Sequence, residues 1–522
     1  MKRSRDEEDV FPSQQKRTRL DSSKTDRLSI LSHELLLRIL SSLTVADLAI
    51  CQRVSQHFQD LSCDSQLWKE HYYNRFVRPR AARIPGVRNN GGDTSSHLHF
   101  SSKLSKWLDE DTLVRRGRET DWRRQYKLRH NWAQGTCSVS EITVSEEIPV
   151  PPLLVAMLDS TIFLADGADG LRAWNASAGH VALAKISWDK VPAHDAQSPP
   201  SALAVDASKD ETRAAKTLVA VGFQDGSFCV FELDNAMGHF RLAYRHAASS
   251  NGMLSAVAIS FPHLATMTAN QLLSVYAFPQ PGTDDTPSPT LPSPSLIHSL
   301  HSSSVLPPLT LSIRPTPSST IISTAYSLPT YLSGFTLGIQ ELHLDPTDNS
   351  VMHSRLTSSP STSSLSAPTS LSYSHPYLLA SHPDNTISLY LVSSTATLLR
   401  IATPVRLWGH TSAVSGTAIG RAGRAVSVSR GADDVRLWDL EDRVAPALRR
   451  GNVHGVRVVA ANREGQKEEK PKIRQWGRAG MVPCLDEDVC LSRGWVGFDE
   501  ENVVLLKETA GAGQSLVVYD FA

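Results

Sequence analysis

Two residue pairs bracket one hydrophobic stretch of the sequence, GHTSAVSGTAIGRAGRAVSVSRGADDVRLWDL. The stretch opens on Gly409-His410 and closes on Trp438-Asp439 and Leu440, with alternating apolar residues between the pairs. Histidine, serine and aspartate are residue types of acid–base and nucleophilic catalysis. The sequence nevertheless contains no GxSxG nucleophile elbow, no P-loop and no HExxH motif. We therefore interpret the two pairs as structural, and we predict no catalytic residue and no cofactor.

The six cysteines are the other candidate nucleophiles and metal ligands. They are scattered along the chain, and no two of them form a CxxC pair. This pattern suggests neither a disulfide framework nor a zinc site. A reduced intracellular compartment is the simplest inference, and no metal is predicted.

The charge balance argues against two broad classes of partner. Lys+Arg and Asp+Glu are both 53 in 522 residues, so the net charge is zero and nothing indicates nucleic acid or a membrane surface. No run of about 18 apolar residues is present, and the charged start lacks the apolar region of a signal peptide. Basic clusters at 2–5 and 16–19 resemble a bipartite nuclear localisation signal, or belong to a solvated tail. We expect a nuclear or cytoplasmic location, or both.

From about residue 137 to the end, short alternating apolar runs recur between turn signals, which is typical of an all-β repeat protein. The runs carry aromatic or leucine anchors at Trp174, Phe231, Tyr276, Leu342, Tyr390, Trp438 and Tyr519. Their cleanest spacings are 45, 48 and 48 residues, which predicts seven four-stranded blades of a β-propeller at 137–522. Because one blade cannot bury both of its faces, we expect the anchors to fill the wedges between blades.

Closure and interruption of this β region can also be predicted. A strand at 136–144 would complete the last blade beside the C-terminal SLVVYDFA and so remove an open sheet edge. Three polar tracts interrupt the region at about 279–308, 345–370 and 461–474. Their composition offers too little apolar surface to offset the entropy of ordering, so we predict disordered insertions there.

The front of the chain, at 26–76, shows helical periodicity. Leu31, Leu35, Ile39 and Leu43 recur every four residues and form one apolar stripe. Three short helices are predicted, and so small a core is marginal on its own. We therefore expect something else to cover part of the stripe.

Capping residues and composition set the borders of this front region. Ser32, Thr44 and Asp64 are the expected caps of the three helices. Residues 1–25 are predicted to be a disordered charged tail, 77–102 a flexible loop and 103–136 a helical linker.

The repeats resemble WD repeats, most clearly at 409–440. The resemblance implies that His410, Ser427 or Ser429, Asp433 and Trp438 form a hydrogen-bond network. Asp433 lies five residues before Trp438, where the family usually has six, and the other blades lack Gly-His, so the propeller is degenerate. Propeller receptors often bind phosphorylated motifs through arginines, whose planar fork suits phosphate. Arg430, just ahead of the blade turn, is the candidate substrate-binding residue.

Residues 28–76 closely resemble an F-box, from Leu31-Ser32-x-Glu34-Leu35 through Leu67-Trp68. The segment 121–137 is similar to the helical linker of F-box/WD-repeat proteins, and its basic residues are interpreted as a solvated helix surface. The F-box resemblance implies binding of a Skp-type adaptor. The residues that divide between internal packing and adaptor contact are Leu31, Leu35, Ile39, Leu40, Leu43, Leu48 and Trp68.

The predicted fold is mainly β with an N-terminal α module: a three-helix F-box, a helical linker and a degenerate seven-bladed WD-repeat β-propeller. The combined resemblance implies the non-catalytic substrate receptor of an SCF-type cullin–RING ubiquitin ligase. Expected partners are a Skp-type adaptor, through it cullin and RING subunits, and a protein target with or without phosphate. Two alternatives stay open: a nuclear scaffold that binds adaptor without cullin, and a propeller enzyme, which the missing active-site motifs disfavour.

Overall fold

The structure is a computed structural model of the whole chain. It describes residues 28, 31–78, 120–146, 149–176, 182–192, 198–206, 216–235, 237–279, 291–302, 305–330, 334–360, 366–395, 397–420, 423–430, 434–441, 455–460, 494–509 and 513–522. The chain divides into two compact units between Tyr126 and Lys127. None of the helices described has the length and apolar character of a membrane span.

The first unit is helical. Its helices are α1 His33–Leu40, α2 Val45–Cys51, α3 Gln56–Ser62, α4 Ser65–Tyr72 with a π-helical continuation at Tyr73–Val77, and α5 Trp122–Gln134, which crosses the division between the units. The F-box therefore holds four short helices, and the predicted number of three is wrong. The helix expected to run from residue 45 into the sixties breaks after Cys51, and Ser55 begins a new one by accepting a hydrogen bond from the Phe58 amide.

Side-chain caps begin three of these helices. The Thr44 hydroxyl accepts from the Asp47 amide, and one Asp64 oxygen accepts from the amides of Gln66 and Leu67. Ser32 precedes α1 without a side-chain cap bond. Each cap satisfies backbone N–H groups that the first helical turn leaves without a partner. The predicted caps at Thr44 and Asp64 are confirmed.

One apolar cluster holds the helical unit together. Trp68 lies at its centre, donates through Nε1 to the Ser62 carbonyl at 2.7 Å, and meets the Tyr126 ring edge-on at 5.4 Å. The buried members are Leu36, Leu40, Leu48, Leu61, Leu67, Trp68, Tyr72, Tyr73, Val77, Trp122 and Tyr126. The last two come from the first half of α5, so the segment predicted as a linker extends this small core.

The second unit is built of strands. In chain order they are β1 Thr136–Ser145, β2 Leu154–Leu158, β3 Thr161–Asp166, β4 Gly170–Asn175, β5 Ala182–Ile186, β6 Pro200–Val205, β7 Lys216–Phe223, β8 Phe228–Asp234, β9 His239–His246, β10 Leu254–Ser260, β11 His263–Thr268, β12 Leu272–Ala277, β13 Ser295–His301, β14 Leu306–Pro315, β15 Thr320–Pro329, β16 Phe335–Leu344, β17 Val351–Ser358, β18 Ser370–Ser374, β19 Tyr377–Ser381, β20 Ile387–Ser394, β21 Leu399–Ile401, β22 Val405–Leu407, β23 Val414–Ile419, β24 Arg424–Ser429, β25 Val435–Asp439, β26 Val456–Arg457, β27 Val459–Ala460, β28 Val496–Phe498, β29 Asn502–Thr509 and β30 Gly513–Asp520.

The described strands form seven sheets, antiparallel except where β27 pairs with β1, and these sheets are the blades of a propeller. Blade 1 is β2–β5, blade 2 is β6–β9, blade 3 is β10–β13 and blade 4 is β14–β17. In blade 5, β18–β20 are completed by two short pieces, β21 and β22, that both pair with β20. Blade 6 is β23–β26, and blade 7 takes β28, β29 and β30 from the end of the chain and β1 from the start of the unit.

Blade 7 closes the ring. Strand β1 pairs with β30 along its length, from Ser138 opposite Asp520 to Ser145 opposite Gln514, and β27 adds to its other edge in parallel. The predicted closure is confirmed. Asn131 of α5 donates to the Phe521 carbonyl at 2.8 Å, and Trp132 stacks on the Phe521 ring at 4.6 Å. The end of the chain is thereby held against the start of the propeller.

The seven anchors occupy the wedges between blades. Each lies on the third strand of its blade and belongs to the apolar cluster shared with the preceding blade. Phe231 packs with Phe163 and Trp188 between blades 2 and 1, and Trp438 packs with Leu389 and Leu407 between blades 6 and 5. The others are Trp174, Tyr276, Leu342, Tyr390 and Tyr519. The seven-bladed propeller is therefore confirmed, including the blade with the weakest signal.

Two of the predicted disordered insertions contain strands instead. Strand β13, the outer strand of blade 3, lies inside 279–308, and β17, the outer strand of blade 4, lies inside 345–370. Both are solvent-facing, so they need few apolar residues, and the pairing with β12 and β16 orders them. The prediction for 461–474 lies outside the described residues, as do the tail at 1–25, nearly all of the loop at 77–102 and the start of the linker at 103–136.

Candidate functional site

One buried hydroxyl joins the two residue pairs of blade 6. Ser427 on β24 lies with its Oγ 2.6 Å from His410 Nε2, and it accepts a hydrogen bond from Trp438 Nε1 at 2.8 Å. His410 precedes β23 and Trp438 lies on β25, so the network ties three segments of one blade together. Of the two serines considered, Ser427 has this role, while Ser429 accepts from the Asp434 amide at 3.0 Å.

The carboxylate beside His410 belongs to Asp434. Its Oδ2 lies 3.3 Å from His410 Nδ1, whereas Asp433, the predicted residue, lies outside the described part of the chain. Asp434 is the last residue before β25. Burial on its own would raise the pKa of the Asp434 carboxyl, but the hydrogen bonds and charges of His410 and Arg436 together hold that pKa below its usual value. The four side chains of the network, His410, Ser427, Asp434 and Trp438, are buried, which is typical of an internal joint of the fold.

The F-box presents a different kind of surface. Leu35 and Ile39 lie four residues apart on one face of α1 and are 50% and 45% exposed. Of the other predicted adaptor residues, Leu31 and Leu43 are half-buried against the core. Leu40, Leu48 and Trp68 are buried inside it, so they support the fold and are not available on the surface.

Two further large apolar side chains within residues 33–74 are exposed. Ile50 lies on α2 and Val54 in the turn that follows, and both are more exposed than Leu35. They were not among the predicted adaptor residues. The available signal was their position: Ile50 lies two residues after the buried Leu48, and in a helix such neighbours point to different faces.

Sequence comparison agrees with both units. The family described as "F-box protein pof12 beta-propeller" matches residues 137–522, and the family described as "F-box-like" matches residues 33–74. The chain belongs to the pof12 family of F-box proteins. The F-box protein pof12 of Schizosaccharomyces pombe (strain 972 / ATCC 24843) is 44% identical over 66 residues, which is 13% of this chain and 15% of that protein.

Two solved structures are similar at low identity. The WD40 β-propeller domain of Doa1 is 11% identical with a TM-score of 0.37, and it covers 73% of this chain and 95% of its own. The structure of U3-55K is also 11% identical with a TM-score of 0.42, and it covers 73% and 98%. Scores this low support no argument about the function of this pof12-family chain.

A second histidine joint is present in blade 5 of the pof12-family propeller. His382 Nε2 lies 2.9 Å from Ser388 Oγ, and both side chains are buried. Desolvation lowers the pKa of the His382 imidazole, with the Asp384 carboxylate opposing and Arg406 adding to the effect. Sequence reasoning missed this joint because His382 is not preceded by glycine. Its signal was the position of the histidine between the end of β19 and the Asp384 turn.

Arg430, the predicted substrate-binding residue, is exposed directly after β24. Its amide donates to the Ala413 carbonyl at 2.7 Å, so the backbone is held while the side chain faces solvent. Ala413 belongs to the segment that joins blade 5 to blade 6, which also carries His410. The structure therefore brings Arg430 to the edge of the propeller at which the His410 joint lies.

Proposed function

We propose that this pof12-family chain is the substrate receptor of an SCF-type cullin–RING ubiquitin ligase. In this function the F-box binds a Skp-type adaptor, and the propeller holds a target protein for ubiquitination and degradation. The observation that carries the proposal is the exposed apolar face of α1, Leu35 and Ile39, on an F-box whose own core is already complete without them.

The contribution of the exposed apolar side chains to the free energy of adaptor binding can be bounded. Leu35, Ile39, Ile50 and Val54 are each about half exposed or more. Fully burying one such side chain is worth about 1.5–3 kcal/mol, so covering the exposed part is worth roughly 1 kcal/mol each, or about 4 kcal/mol in all before the cost of association. An adaptor must therefore add polar contacts or cover half-buried neighbours such as Leu31 and Leu43 to form a lasting complex.

The proposed mechanism is positional. Holding a target and the ligase core in one assembly raises the effective concentration of target lysines near a charged ubiquitin-conjugating enzyme. The chain then needs no catalytic residue of its own, and the buried histidine joints described above serve the propeller fold. Location in the nucleus or cytoplasm stays a prediction, since both basic clusters lie outside the described residues.

The test is capture of a purified Skp-type adaptor, alone and together with purified cullin, by the full-length chain. Leu35→Asp with Ile39→Asp should weaken capture by about 100-fold or more, because two charges would be forced into an apolar contact. The matched control is Met352→Asp with Leu356→Asp, which makes the same change at two exposed apolar residues of β17 in the propeller. Substitution of Leu40 is unsuitable because Leu40 lies in the core.

The outcomes separate the alternatives. Adaptor and cullin captured by the wild type and the control, and lost with the α1 variant, support the receptor. Adaptor captured without cullin supports the scaffold. Capture that the α1 variant leaves unchanged contradicts the assignment of this face.

A further inference from the structure

The contact between blades 4 and 5 buries an acidic side chain. Glu341 lies on β16, two residues after Ile339 of the apolar cluster that these blades share, and its side chain is fully buried. Its Oε2 accepts a hydrogen bond from Ser394 Oγ of blade 5 at 2.6 Å and lies 3.3 Å from His343 Nε2. Its Oε1 has no hydrogen-bond partner among the described residues. Burial of a carboxyl group with one oxygen unpaired works against stability.

Two histidines stack beside this carboxyl group. His343 on β16 and His353 on β17 are directly opposite each other, with ring centroids 4.2 Å apart and planes inclined by 27°. His343 is buried and His353 is half-buried. Two positive charges on these rings would repel each other across the β16–β17 pair. We call Glu341, His343, His353 and Ser394 the polar seam of blades 4 and 5.

Few charged groups surround the polar seam. Arg314 of β14 and Arg355 of β17 act on His343, and burial followed by the charge of Glu341 raises the pKa of Tyr373 on β18 to about 12. Arg314 and Glu341 also act on His375, in the turn after β18. The short gaps in the description of blades 4 and 5, at 331–333, 361–365 and 396, hold no Asp, Glu, Lys, Arg or His. The other side chains from the surrounding strands are Ser323, Leu378, Tyr390, Val392, Leu399 and Ile401.

This environment disfavours protons on the stacked histidines. Desolvation is the main cause that lowers the pKa of both imidazoles. For His353 the charges of His343 and Arg355 lower the pKa further, while Glu341 opposes the shift for both rings. An imidazole released to solvent has a pKa of about 6.5. Below that pH a state in which the rings are released therefore binds more protons than the closed state, and acid favours it.

Strand β17 is the part of the contact that can separate. It is the outermost strand of blade 4, it pairs with β16 in its sheet, and alternate side chains along it face solvent. Arg355 of β17 donates from Nη1 to the Thr395 carbonyl of blade 5 at an exposed position. An edge strand held by exposed hydrogen bonds opens at a lower free energy than the inner strands of a sheet. Its separation frees the His353 ring directly.

We propose that the polar seam is an acid-sensitive joint, in which protonation of the stacked pair His343 and His353 releases β17 from β16 while the inner strands of blade 4 stay in the ring. The direct cross-strand stacking supports the release of β17, because the repulsion acts between these two strands. The inner strands pack through apolar side chains such as Ile339, which do not titrate. This inference concerns regulation of the propeller, goes beyond the proposed function and involves no adaptor.

The test is hydrogen exchange of the full-length protein, measured by mass spectrometry at pH 7.5, 6.5 and 5.5. Protection factors corrected for the intrinsic exchange rate at each pH remove the direct effect of pH on the chemistry. We expect the protection of 351–358 to fall by about tenfold or more between pH 7.5 and 5.5, since a pKa difference of one unit changes an equilibrium about tenfold. The protection of β15 should change much less.

Three variants assign the effect to the seam. His343→Gln with His353→Gln keeps polar side chains that do not titrate, so it should remove most of the loss at 351–358. The matched control is His239→Gln with His301→Gln, at exposed histidines of the outer strands β9 and β13, and it should behave as the wild type. Glu341→Gln should enlarge the ratio of protection between pH 7.5 and 5.5, because Glu341 opposes the shift of both histidines.

Three results would overturn the proposal. The first is equal protection of 351–358 at pH 7.5 and 5.5. The second is a loss that the double glutamine variant leaves unchanged, which would assign it to other histidines such as His375. The third is a simultaneous loss in all seven blades, which would indicate global unfolding. If the double variant does not fold, His353→Gln at the half-buried position decides the question, because it alone removes the repulsion between the rings. A loss that His353→Gln leaves unchanged contradicts the proposal.

Discussion

The helical unit and the propeller differ in which functionally important side chains are exposed and which are buried. In the F-box, the apolar side chains of Leu35 and Ile39 are half exposed. The polar side chains of Thr44 and Asp64 cap the starts of helices. In the propeller the apolar anchors fill the wedges, and polar groups such as Ser427 are buried in joints. A contiguous exposed apolar face suits a contact with a partner, whereas buried and bonded polar groups indicate a contact the chain makes with itself.

Two tryptophans at the junction of blades 5 and 6 show the same contrast. Trp438 is buried and bonded through its N–H, and Trp408, just before the Gly409-His410 pair, is half exposed. The same residue type therefore serves the fold at one position and faces solvent at the other. Burial, rather than residue type, decides which.

The largest expected effect comes from separating these two tryptophans. Trp438→Ala should lower the free energy of unfolding of the propeller by roughly 3–5 kcal/mol, because it leaves a cavity between blades and removes the hydrogen bond to Ser427. Trp408→Ala should cost less than about 1 kcal/mol, as is usual for exposed positions. Chemical denaturation of the two variants measures both values. Equal losses would contradict the distinction between joint and surface.

The next effect separates two leucines of α1. Leu40→Ala should destabilise the helical unit by roughly 2–5 kcal/mol, since Leu40 is buried in its core. Leu35→Ala should cost less than about 1 kcal/mol, because half of that side chain already faces solvent. Hydrogen exchange of the amides in 33–77 reports on each variant. If Leu35→Ala strongly increased amide exchange, the exposed face of α1 would be part of the fold rather than a surface for a partner.

The smallest expected effect is a dependence of the stability of the propeller on pH. Burial lowers the pKa of His382 below its usual value, so between that lowered pKa and about 6.5 the unfolded chain binds more protons than the folded protein. The stability that depends on neutral His382 is complete above pH 6.5 and falls as the pH drops through the lowered pKa. Melting temperatures measured across this range should fall towards acid, and His382→Asn should reduce the slope.

Other titratable side chains also contribute to the dependence of stability on pH. Burial also lowers the pKa of His263 and His343, so the single variant should remove only part of the slope. Asp434 acts in a separate window, since the stability from its lowered pKa is lost only as the pH falls through values under about 3.8. A slope unchanged in His382→Asn would exclude His382 as a source of the pH dependence.

Much of the propeller could be predicted because its third strands have strong local signals. Each anchor is a large side chain preceded by a turn, and a period of about 45–48 residues is the size of one blade. The outer strands β13 and β17 could not be predicted in the same way. Leu296 and Met352 lie among serines and histidines, and only hydrogen bonding to a neighbouring strand makes such segments extended.

The sites were predictable in kind but not in detail. His410 and Trp438 lie where the repeat pattern indicated, yet the carboxylate in the joint is that of Asp434. A shift of one residue in a tight turn reverses the direction of a side chain, and composition carries no record of that shift. The stripe of α1 was visible as a period of four, but helical periodicity alone does not show how wide the buried face is.

By itself the sequence determined the order of the units, the anchors of the seven blades and the chemical character of the F-box stripe, because these depend on local periodicity and turn chemistry. Only the tertiary structure decided that Leu40 is core and Leu35 is surface, that Asp434 lies beside His410 in the joint, and that Arg436 lies against Gly409. Burial and side-chain convergence are properties of segments far apart in the chain, so no local pattern can specify them.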